Sequence, residues 1–447
     1  MNGRYTYPQR VLLIVAASSR FWRELGATDI STPPTGVLSL AAVLRMHGHQ
    51  VAVMDLFMGG YSAAGFRETI RGFMPDVVGI SCYTESYRTA VLLSKMVREE
   101  LRAAPIVLGG PHVTFTVDQT FRESPADYIV MGEGEATIVE LLLHLAFPDV
   151  IPISSVAGLA WRDGDRVVVN RPRPFIESLD ALPLVDFSLV DVHAYRMPWV
   201  IVTSRGCPGG CIFCSSRAMW GPKYRCRSAP HVFSEVVFRA GSMEPRVFTI
   251  VDDTFTAGVH RLRQFCELLI AAKLDVEWRC ESRADVMTPE LLDLMRKAGC
   301  TCVQFGIETG DPQVLRSLNK KISLDHAEAL VAHAARIGLR PRCSFIVGHH
   351  TDTKESLQKT LALAKRFRQE YGATVAVSAN TPYPGTWLYN HLDEAGITLH
   401  STDWDDFLFS DPVISTRNLD TNDIRTALFD ALEFLAQQEM TAGTSRA

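Results

Sequence analysis

Short apolar runs alternate with segments of helical length through most of this 447-residue sequence, in two successive blocks. Runs that are apolar throughout, with no polar face, are typical of parallel strands buried on both sides by helices. A chain of this length also exceeds the size at which a single hydrophobic core stops growing. The sequence therefore predicts an α/β protein with two sheet domains.

The first block predicts a doubly wound sheet of five parallel strands within residues 1–146. The segments between the strands, at 36–46, 63–73, 87–101 and 136–145, have helical length. In such a sheet, ligands bind beyond the carboxyl ends of the strands. The predicted strands are residues 11–16, 51–55, 77–82, 106–110 and 128–132.

The second block predicts a partial (βα)6 barrel within residues 198–394, whose chemistry lies at the carboxyl ends of its strands. A connector with a hairpin turn at 162–165 precedes it and spans residues 147–197. The predicted barrel strands are residues 200–203, 247–251, 276–280, 302–307, 343–347 and 374–378.

Residues 395–447 predict a small, mostly helical region that caps the barrel and shapes the substrate pocket. An acidic, aromatic segment lies at 403–409, and one helix is expected at 423–440. The small polar residues after Met440 predict a disordered tail.

The amino-acid composition argues against a nucleic-acid-binding protein and against a disulfide-rich secreted protein. A net charge of -5 supplies no basic field for nucleic acid, and ten cysteines in so long a chain are not a disulfide framework, so we expect a cytoplasmic protein. The apolar run at 11–17 resembles part of a signal peptide, but the charged segment 20–24 follows it. No run reaches the length of a membrane span.

The second block begins with a glycine-rich loop, 203–215, that carries three cysteines in a CxxxCxxC spacing. The glycines permit the turns that bring three thiolates to one metal centre. An iron–sulfur cubane takes four ligands, so three cysteines leave one iron open to a small molecule. The alternatives are a structural zinc site with Cys226 as fourth ligand, or cysteines that only pack. The cysteines are Cys207, Cys211 and Cys214, and the glycines are Gly206, Gly209 and Gly210.

With Phe213 before the last cysteine, this loop resembles the signature of the radical S-adenosylmethionine (SAM) superfamily. The resemblance implies a [4Fe-4S] cluster that binds SAM, a 5′-deoxyadenosyl radical, and an electron donor such as flavodoxin or ferredoxin. It also implies a SAM site at the barrel strand ends, although these residues would equally form salt bridges at a polar barrel mouth. The SAM candidates are Asp252 and Asp253 for the amine, Glu281 beside them, Arg283 for the carboxylate and Glu308 for the ribose.

After the fifth barrel strand the sequence departs from the superfamily pattern. His349 and His350 stand where an apolar residue, a proline and a glycine are usual. They are candidates to bind a substrate acid or to move a proton. The alternative is a helix start capped by Asp352 or Thr353. Tyr383, after the sixth strand, is a candidate to face the substrate.

The strand-end loops of the first block resemble the cobalamin-binding domain that precedes many radical SAM modules. The alternative is that their glycines only make tight turns. Residues 55–60 lack the histidine of a DxHxxG motif, so we expect cobalamin without a histidine lower ligand and expect His112 to support its turn. The candidate cofactor residues are Ser81, Tyr83, Thr84, Gly109, Gly110, His112, Gly132, Glu133 and Gly134.

Together these resemblances imply a cobalamin-dependent radical SAM methyltransferase. Its target would be a poorly activated carbon, or alternatively phosphorus, of a small metabolite in natural-product or cofactor biosynthesis. A radical SAM cyclase or rearrangement enzyme without methyl transfer is one alternative. A zinc-stabilised binding protein is the alternative from another class.

Overall fold

The computed structural model describes residues 7–18, 32–58 and 62–444. The chain divides into two compact units, Met1–Val200 and Ile201–Ala447. The charged segment 20–24, the glycines at 59 and 60, and residues 445–447 lie outside the described part. Within that part, no helix combines the length and the apolar character needed to cross a bilayer.

The first unit is built around one sheet with helices between its strands. Its elements are β1 (Arg10–Val15), α1 (Thr35–Met46), β2 (Gln50–Asp55), α2 (Ala63–Phe73), β3 (Val77–Ser81), α3 (Tyr87–Glu100), β4 (Ile106–Gly109), α4 (Pro111–Phe115), α5 (Val117–Glu123), β5 (Tyr128–Val130), α6 (Glu135–Ala146), β6 (Leu159–Asp163) and β7 (Arg166–Val169).

The first five strands are parallel and lie in the order β2-β1-β3-β4-β5. This is a doubly wound order whose switch point, where ligands bind in such folds, lies between β1 and β3. The predicted five-stranded parallel sheet is therefore confirmed. The connector hairpin, β6 and β7, adds two antiparallel strands to the β5 edge, with Tyr128 opposite Trp161.

Burial on both faces explains why the strands are apolar throughout. Val11, Leu12 and Ile14 of β1 are all at most 1% exposed, although successive side chains point to opposite faces. Helix α1 covers one face with residues such as Ala41 and Leu44, which belong to one apolar cluster with Val11 of β1.

The second unit contains a six-stranded sheet and its helices. Its elements are β8 (Val200–Ile201), β9 (Ser204–Arg205), α7 (Ser216–Trp220), β10 (Arg225–Cys226), α8 (Ala229–Ala240), β11 (Val247–Ile250), α9 (Val259–Ala272), β12 (Glu277–Ser282), α10 (Pro289–Lys297), β13 (Cys300–Glu308), α11 (Pro312–Ser317), α12 (Leu324–Arg336), β14 (Arg340–Val347), α13 (Lys354–Tyr371), β15 (Thr374–Ala379), α14 (Trp387–Asn390), α15 (Leu392–Ala395), β16 (Ile397–Leu399), β17 (Ile414–Thr416) and α16 (Thr421–Thr444).

Strands β8, β11, β12, β13, β14 and β15 follow one another across the sheet, and β11 to β15 are parallel. This arrangement confirms the predicted partial barrel. One face of the sheet packs on the helices: Trp278 of β12 meets Phe265 of α9 edge to face, and Phe345 of β14 meets Phe367 of α13. Residues of the opposite parity therefore face the concave side.

The C-terminal region packs on the β14–β15 side of the sheet. Ile424 and Leu428 of α16 belong to one apolar cluster with Val347 at the end of β14. Helix α16 reaches Thr444, four residues beyond its predicted end, so the predicted tail is shortened. The acidic segment lies at the end of β15, where the Ala379 N–H donates to the Phe409 carbonyl.

Candidate active site

The cysteine loop lies between β9 and β10, which pair antiparallel, and leads into α7. Cys207 and Cys211 are partly buried and Cys214 is exposed. Each sulfur accepts one N–H, which favours the thiolate that binds iron. The pairs are Gly209 N–H to Cys207 Sγ (3.4 Å), Arg283 Nη1–H to Cys211 Sγ (3.7 Å) and Ser216 N–H to Cys214 Sγ (3.4 Å).

The three thiols fit an iron–sulfur cluster better than a zinc ion. A structural zinc ion gathers four donors around one point, and no three Cys, His, Asp or Glu side chains of the described residues converge in this way. A four-iron cluster needs no such convergence, because its cysteines bind separate irons. Although Cys214 is exposed, protein atoms around its sulfur limit hydration and raise the pKa of the thiol to about 11, which outweighs the hydrogen bond from Ser216. A bound metal cation would be needed to favour the thiolate near neutral pH.

Two positions of the loop require glycine because other atoms lie close to the backbone there. Gly206 has a φ of +88°, and an added Cβ would stand 2.7 Å from the Lys223 carbonyl oxygen. A Cβ on Gly209 would stand 2.5 Å from Nη1 of Arg283. Any larger residue at either position would displace a group that shapes the cysteine loop.

Asp252 holds the start of this loop to the end of β11. Its Oδ1 accepts the N–H groups of Thr203 (2.6 Å) and Ser204 (3.0 Å), and its Oδ2 accepts their hydroxyls at 2.5 and 2.6 Å. The Arg261 guanidinium lies 3.7 Å away, and Asp252 is only 2% exposed. All four acceptor positions of the carboxylate are filled. These contacts do not support the predicted role of Asp252 in binding SAM; they make it a structural residue.

The two remaining carboxylates of this edge are accessible. Asp253 is exposed and accepts one hydrogen bond from the Ser216 hydroxyl at 2.7 Å. Glu281, at the end of β12, is reached by solvent on the concave side but is otherwise surrounded by protein. This partial burial and the charge of Asp253 raise the pKa of Glu281 to about 7. Of Asp252 and Asp253, Asp253 is therefore the carboxylate that is open to solvent beside the cysteine loop.

Arg283 faces the cysteines rather than open solvent. Its Nε and Nη2 donate to the Asp285 carboxylate at 2.9 and 2.7 Å, and its Nη1 points to Cys211. Among the described residues these contacts use three of the five guanidinium N–H groups and leave one on each Nη. Asp285, which sequence reasoning missed, fixes the direction of the guanidinium.

Glu308 forms a buried ion pair with Lys320, whose Nζ donates to Oε1 at 2.6 Å. Its φ of +71° is unusual for a residue with a Cβ, and the β13–β14 register shifts between Gly306 and Glu308. Lys320, 12 residues further on, carries no motif that would have identified it. The Glu308 carboxylate, which was predicted to bind the SAM ribose, thus accepts a hydrogen bond from Lys320.

His349 and His350 begin a capped turn. Asp352 Oδ2 accepts the His349 N–H at 2.8 Å, and Thr353 caps α13 by accepting the Ser356 N–H at 3.2 Å. His349 is 0% exposed, and burial lowers its pKa to about 4. The contacts therefore support the structural alternative for His349, while His350 remains partly exposed.

Two aromatic candidates are held in place by their neighbours. The Phe213 ring lies 5.8 Å from the His349 ring, so it anchors the cysteine loop to the turn after β14. The Tyr383 hydroxyl donates to the Phe407 carbonyl at 3.0 Å. This contact ties Tyr383 to the acidic segment 403–409, and its predicted approach to substrate stays a prediction.

In the first unit, five of the nine cofactor candidates are accessible at the carboxyl ends of β3, β4 and β5. A Cβ on Gly110, whose φ is +103°, would stand 2.5 Å from the Cys82 carbonyl oxygen. Gly132, with a φ of +67°, has open space beside it instead. These ends of the sheet can therefore admit a ligand to the backbone. The accessible residues are Ser81, Tyr83, Gly109, Gly110 and Gly132.

The other four candidates are buried and support the loops. His112 is 1% exposed and its Nδ1 lies 3.1 Å from the Thr84 hydroxyl. Glu133 accepts the Ile176 N–H at 2.7 Å and so anchors the connector. Gly134 packs against Leu40, so an added Cβ would stand 3.1 Å from that side chain. Direct cofactor contact by these four is not supported by their positions.

Two family models match the chain. The B12 binding domain matches residues 28–142, and the Radical SAM superfamily matches residues 201–364. The sequence is 30% identical over 424 residues to the uncharacterized methyltransferase PH0819 of Pyrococcus horikoshii, covering 94% of this chain and 90% of that protein. It is 28% identical over 404 residues to the anaerobic magnesium-protoporphyrin IX monomethyl ester cyclase of Rubrivivax gelatinosus, covering 88% of this chain and 71% of the cyclase.

Among solved structures, the cobalamin-dependent SAM radical enzyme OxsB, with aqua-cobalamin and SAM bound, has the same fold. The TM-score is 0.76 at 16% sequence identity, over 92% of this chain. The match covers 64% of the OxsB chain, so this chain spans just under two thirds of that longer protein. From fold, cysteine loop and relatives together, the chain belongs to the cobalamin-binding-domain-containing branch of the radical SAM superfamily and is a radical SAM enzyme of the cobalamin-dependent methyltransferase type.

Proposed function

We propose that this enzyme methylates a poorly activated carbon of a small metabolite, in natural-product or cofactor biosynthesis in the cytoplasm. The observation that carries the proposal is the combination of two sites. A cysteine loop with one N–H on each sulfur lies on the barrel, and accessible strand-end loops lie on a sheet of order 2-1-3-4-5. The name of the Pyrococcus relative supports methyl transfer.

When bound, the cluster supplies the electron that cleaves SAM, and cobalamin supplies the methyl group. The chain's own residues bind and orient. The three cysteines would hold the cluster, Asp253 would accept hydrogen bonds from the SAM ammonium, and Arg283 would place a positive charge beside Cys211. An external flavodoxin or ferredoxin would deliver the electron.

A ring closure without methyl transfer is the second candidate, because the Rubrivivax relative is named a cyclase. The two candidates differ in whether the protein methylates cobalamin. We expect the anaerobic protein, given cob(I)alamin and SAM labelled in the methyl group, to form labelled methylcobalamin. Cleavage of SAM to 5′-deoxyadenosine with no label in the corrin would overturn the methyltransferase proposal and favour the cyclase.

Variants of the adjacent residues Asp252 and Asp253 test folding and SAM binding separately. Asp253→Asn is expected to weaken SAM binding by roughly 10-fold, because a charge-assisted hydrogen bond to the ammonium is lost. Asp252→Asn is expected to destabilise the protein by about 2 kcal/mol, because an amide nitrogen would replace an acceptor of two buried donors. Calorimetric SAM titration and thermal unfolding of both variants measure these effects. Loss of SAM affinity in Asp252→Asn alone, with normal stability, would contradict the assignment.

The burial of His112 supports the proposal that cobalamin binds without a histidine lower ligand. The ring lies beside Tyr87, with centroids 4.3 Å apart, and bonds to Thr84 rather than pointing into open space. The EPR spectrum of bound cob(II)alamin should therefore be the same in protein made with ¹⁵N-histidine as in unlabelled protein. A nitrogen superhyperfine pattern that changes from triplets to doublets on labelling would contradict this proposal.

A further inference from the structure

Three arginines lie on the concave face of the barrel sheet. Arg279 is on β12, and Arg340 and Arg342 are on β14. Cys302 of β13 stands in register between Arg279 on one side and Arg340 on the other. The helix-facing residues Trp278 and Phe345 fix the parity of these strands, so the arginines point to the opposite, concave side.

Within the part of the chain that the structure describes, the one attractive charge that acts on these guanidinium groups is Glu281, which Arg342 faces without forming an ion pair. No ion pair or hydrogen bond to them occurs there, and the Nε of Arg279 is buried without an acceptor. A buried donor without an acceptor costs free energy, which an incoming acceptor would recover.

The spacing lets the three side chains reach one ligand. Neighbouring strands lie about 4.8 Å apart, so the Cα atoms of Arg279 and Arg340 are roughly 10 Å apart across Cys302. Arg342 is two residues along β14, about 7 Å further on the same face. Long arginine side chains span such distances, and like charges held this close favour an anion between them.

One acidic group of the concave face lies near these arginines. Glu281 is in register with Gln304, which pairs with Arg342, and the charge of Arg342 acts to lower the pKa of Glu281, although no ion pair forms between them. The raised pKa of Glu281, caused by partial burial and by Asp253, leaves it about half protonated near neutral pH. The face therefore carries Asp253 and Glu281 toward the strand ends and Arg279 and Arg340 one row below, with Arg342 in the same row as Glu281.

We propose that Arg279, Arg340 and Arg342 bind the oxyanion of the substrate, a phosphate or carboxylate group carried by the metabolite. Planar guanidinium groups bind both oxyanions through paired N–H donors. Arg279 precedes Arg283 by four residues, or about 13 Å along an extended strand. The substrate is thus an extended molecule with its acid group well separated from the atom that reacts near the cysteines. Naming the anion as part of the substrate rests on the proposed function, but the anion site itself does not.

Anion binding by the intact protein tests the proposal without turnover. Pyrophosphate, inorganic phosphate and malonate would be titrated calorimetrically at constant ionic strength into wild type, Arg279→Gln and Arg342→Gln. We expect saturable binding in wild type and about 10-fold weaker binding in each variant, since each loses one charge-assisted contact. A preference for pyrophosphate would assign a phosphate-bearing substrate, and a preference for malonate a carboxylate.

Arg263→Gln is the matched control, because Arg263 is exposed on α9 and its loss changes the net charge equally. Equal weakening in this control, or no saturable binding of any of the three anions, would overturn the proposal. Arg342 is exposed, so its variant remains informative if Arg279→Gln unfolds. Because labelled methyl transfer to cobalamin is measured separately, failure of that reaction leaves the anion result intact, and the reverse also holds.

A bound anion should also protect Cys302, which lies between the arginines. Iodoacetamide labelling, read by peptide mass spectrometry, is expected to slow at Cys302 when pyrophosphate is present and to stay unchanged at Cys226. Equal protection of both thiols, or of neither while calorimetry shows binding, would place the anion elsewhere and contradict the proposal.

Discussion

The arrangement of the barrel mouth depends on the hydrogen bonds that the Asp252 carboxylate accepts. This carboxylate gathers two N–H groups and two hydroxyls of Thr203 and Ser204 at the point where the chain enters the cysteine loop. Hydrogen bonds to a charged group contribute about 1.5–3 kcal/mol each, and their removal would leave several buried donors unpaired. Because Asp252 follows the end of β11 by two residues, these hydrogen bonds couple the position of the loop to the sheet.

The charged side chains of the barrel differ along its strands. Those beside the cysteine loop suit a cationic cofactor, and those nearer the start of the strands suit an anionic ligand. Asp253 is accessible beside the cysteine loop, while Arg283 is turned toward Cys211 by Asp285. Further down the concave face, arginine replaces acid. A (βα)8 barrel of the usual kind fills its interior with bulky apolar side chains, whereas the concave side of these strands carries charged and polar ones such as Arg279, Glu281 and Gln304.

The features that the sequence predicted well depend on local patterns. Alternating apolar runs predicted both sheets, and the cysteine spacing with its glycines predicted the radical SAM family, because each pattern is complete within a few residues. Asp252 and Asp253 show where such reasoning stops: successive residues at a strand end face opposite ways, and only the register decides which one is buried. The Glu308–Lys320 pair and the full burial of His349 depend on packing between segments, which no local pattern encodes. The pairing of the connector hairpin with β5 also depends on contacts between separate segments, so the sequence did not predict it.

Anaerobic metal and corrinoid analysis of the purified protein tests the central claim, that separate units hold the cluster and the cobalamin. We expect about four irons and one corrinoid per chain in wild type. The Cys211→Ser variant should lose most of the iron and keep the corrinoid, while Cys226→Ser should keep both. One zinc without iron in wild type, or iron unaffected by Cys211→Ser, would contradict it.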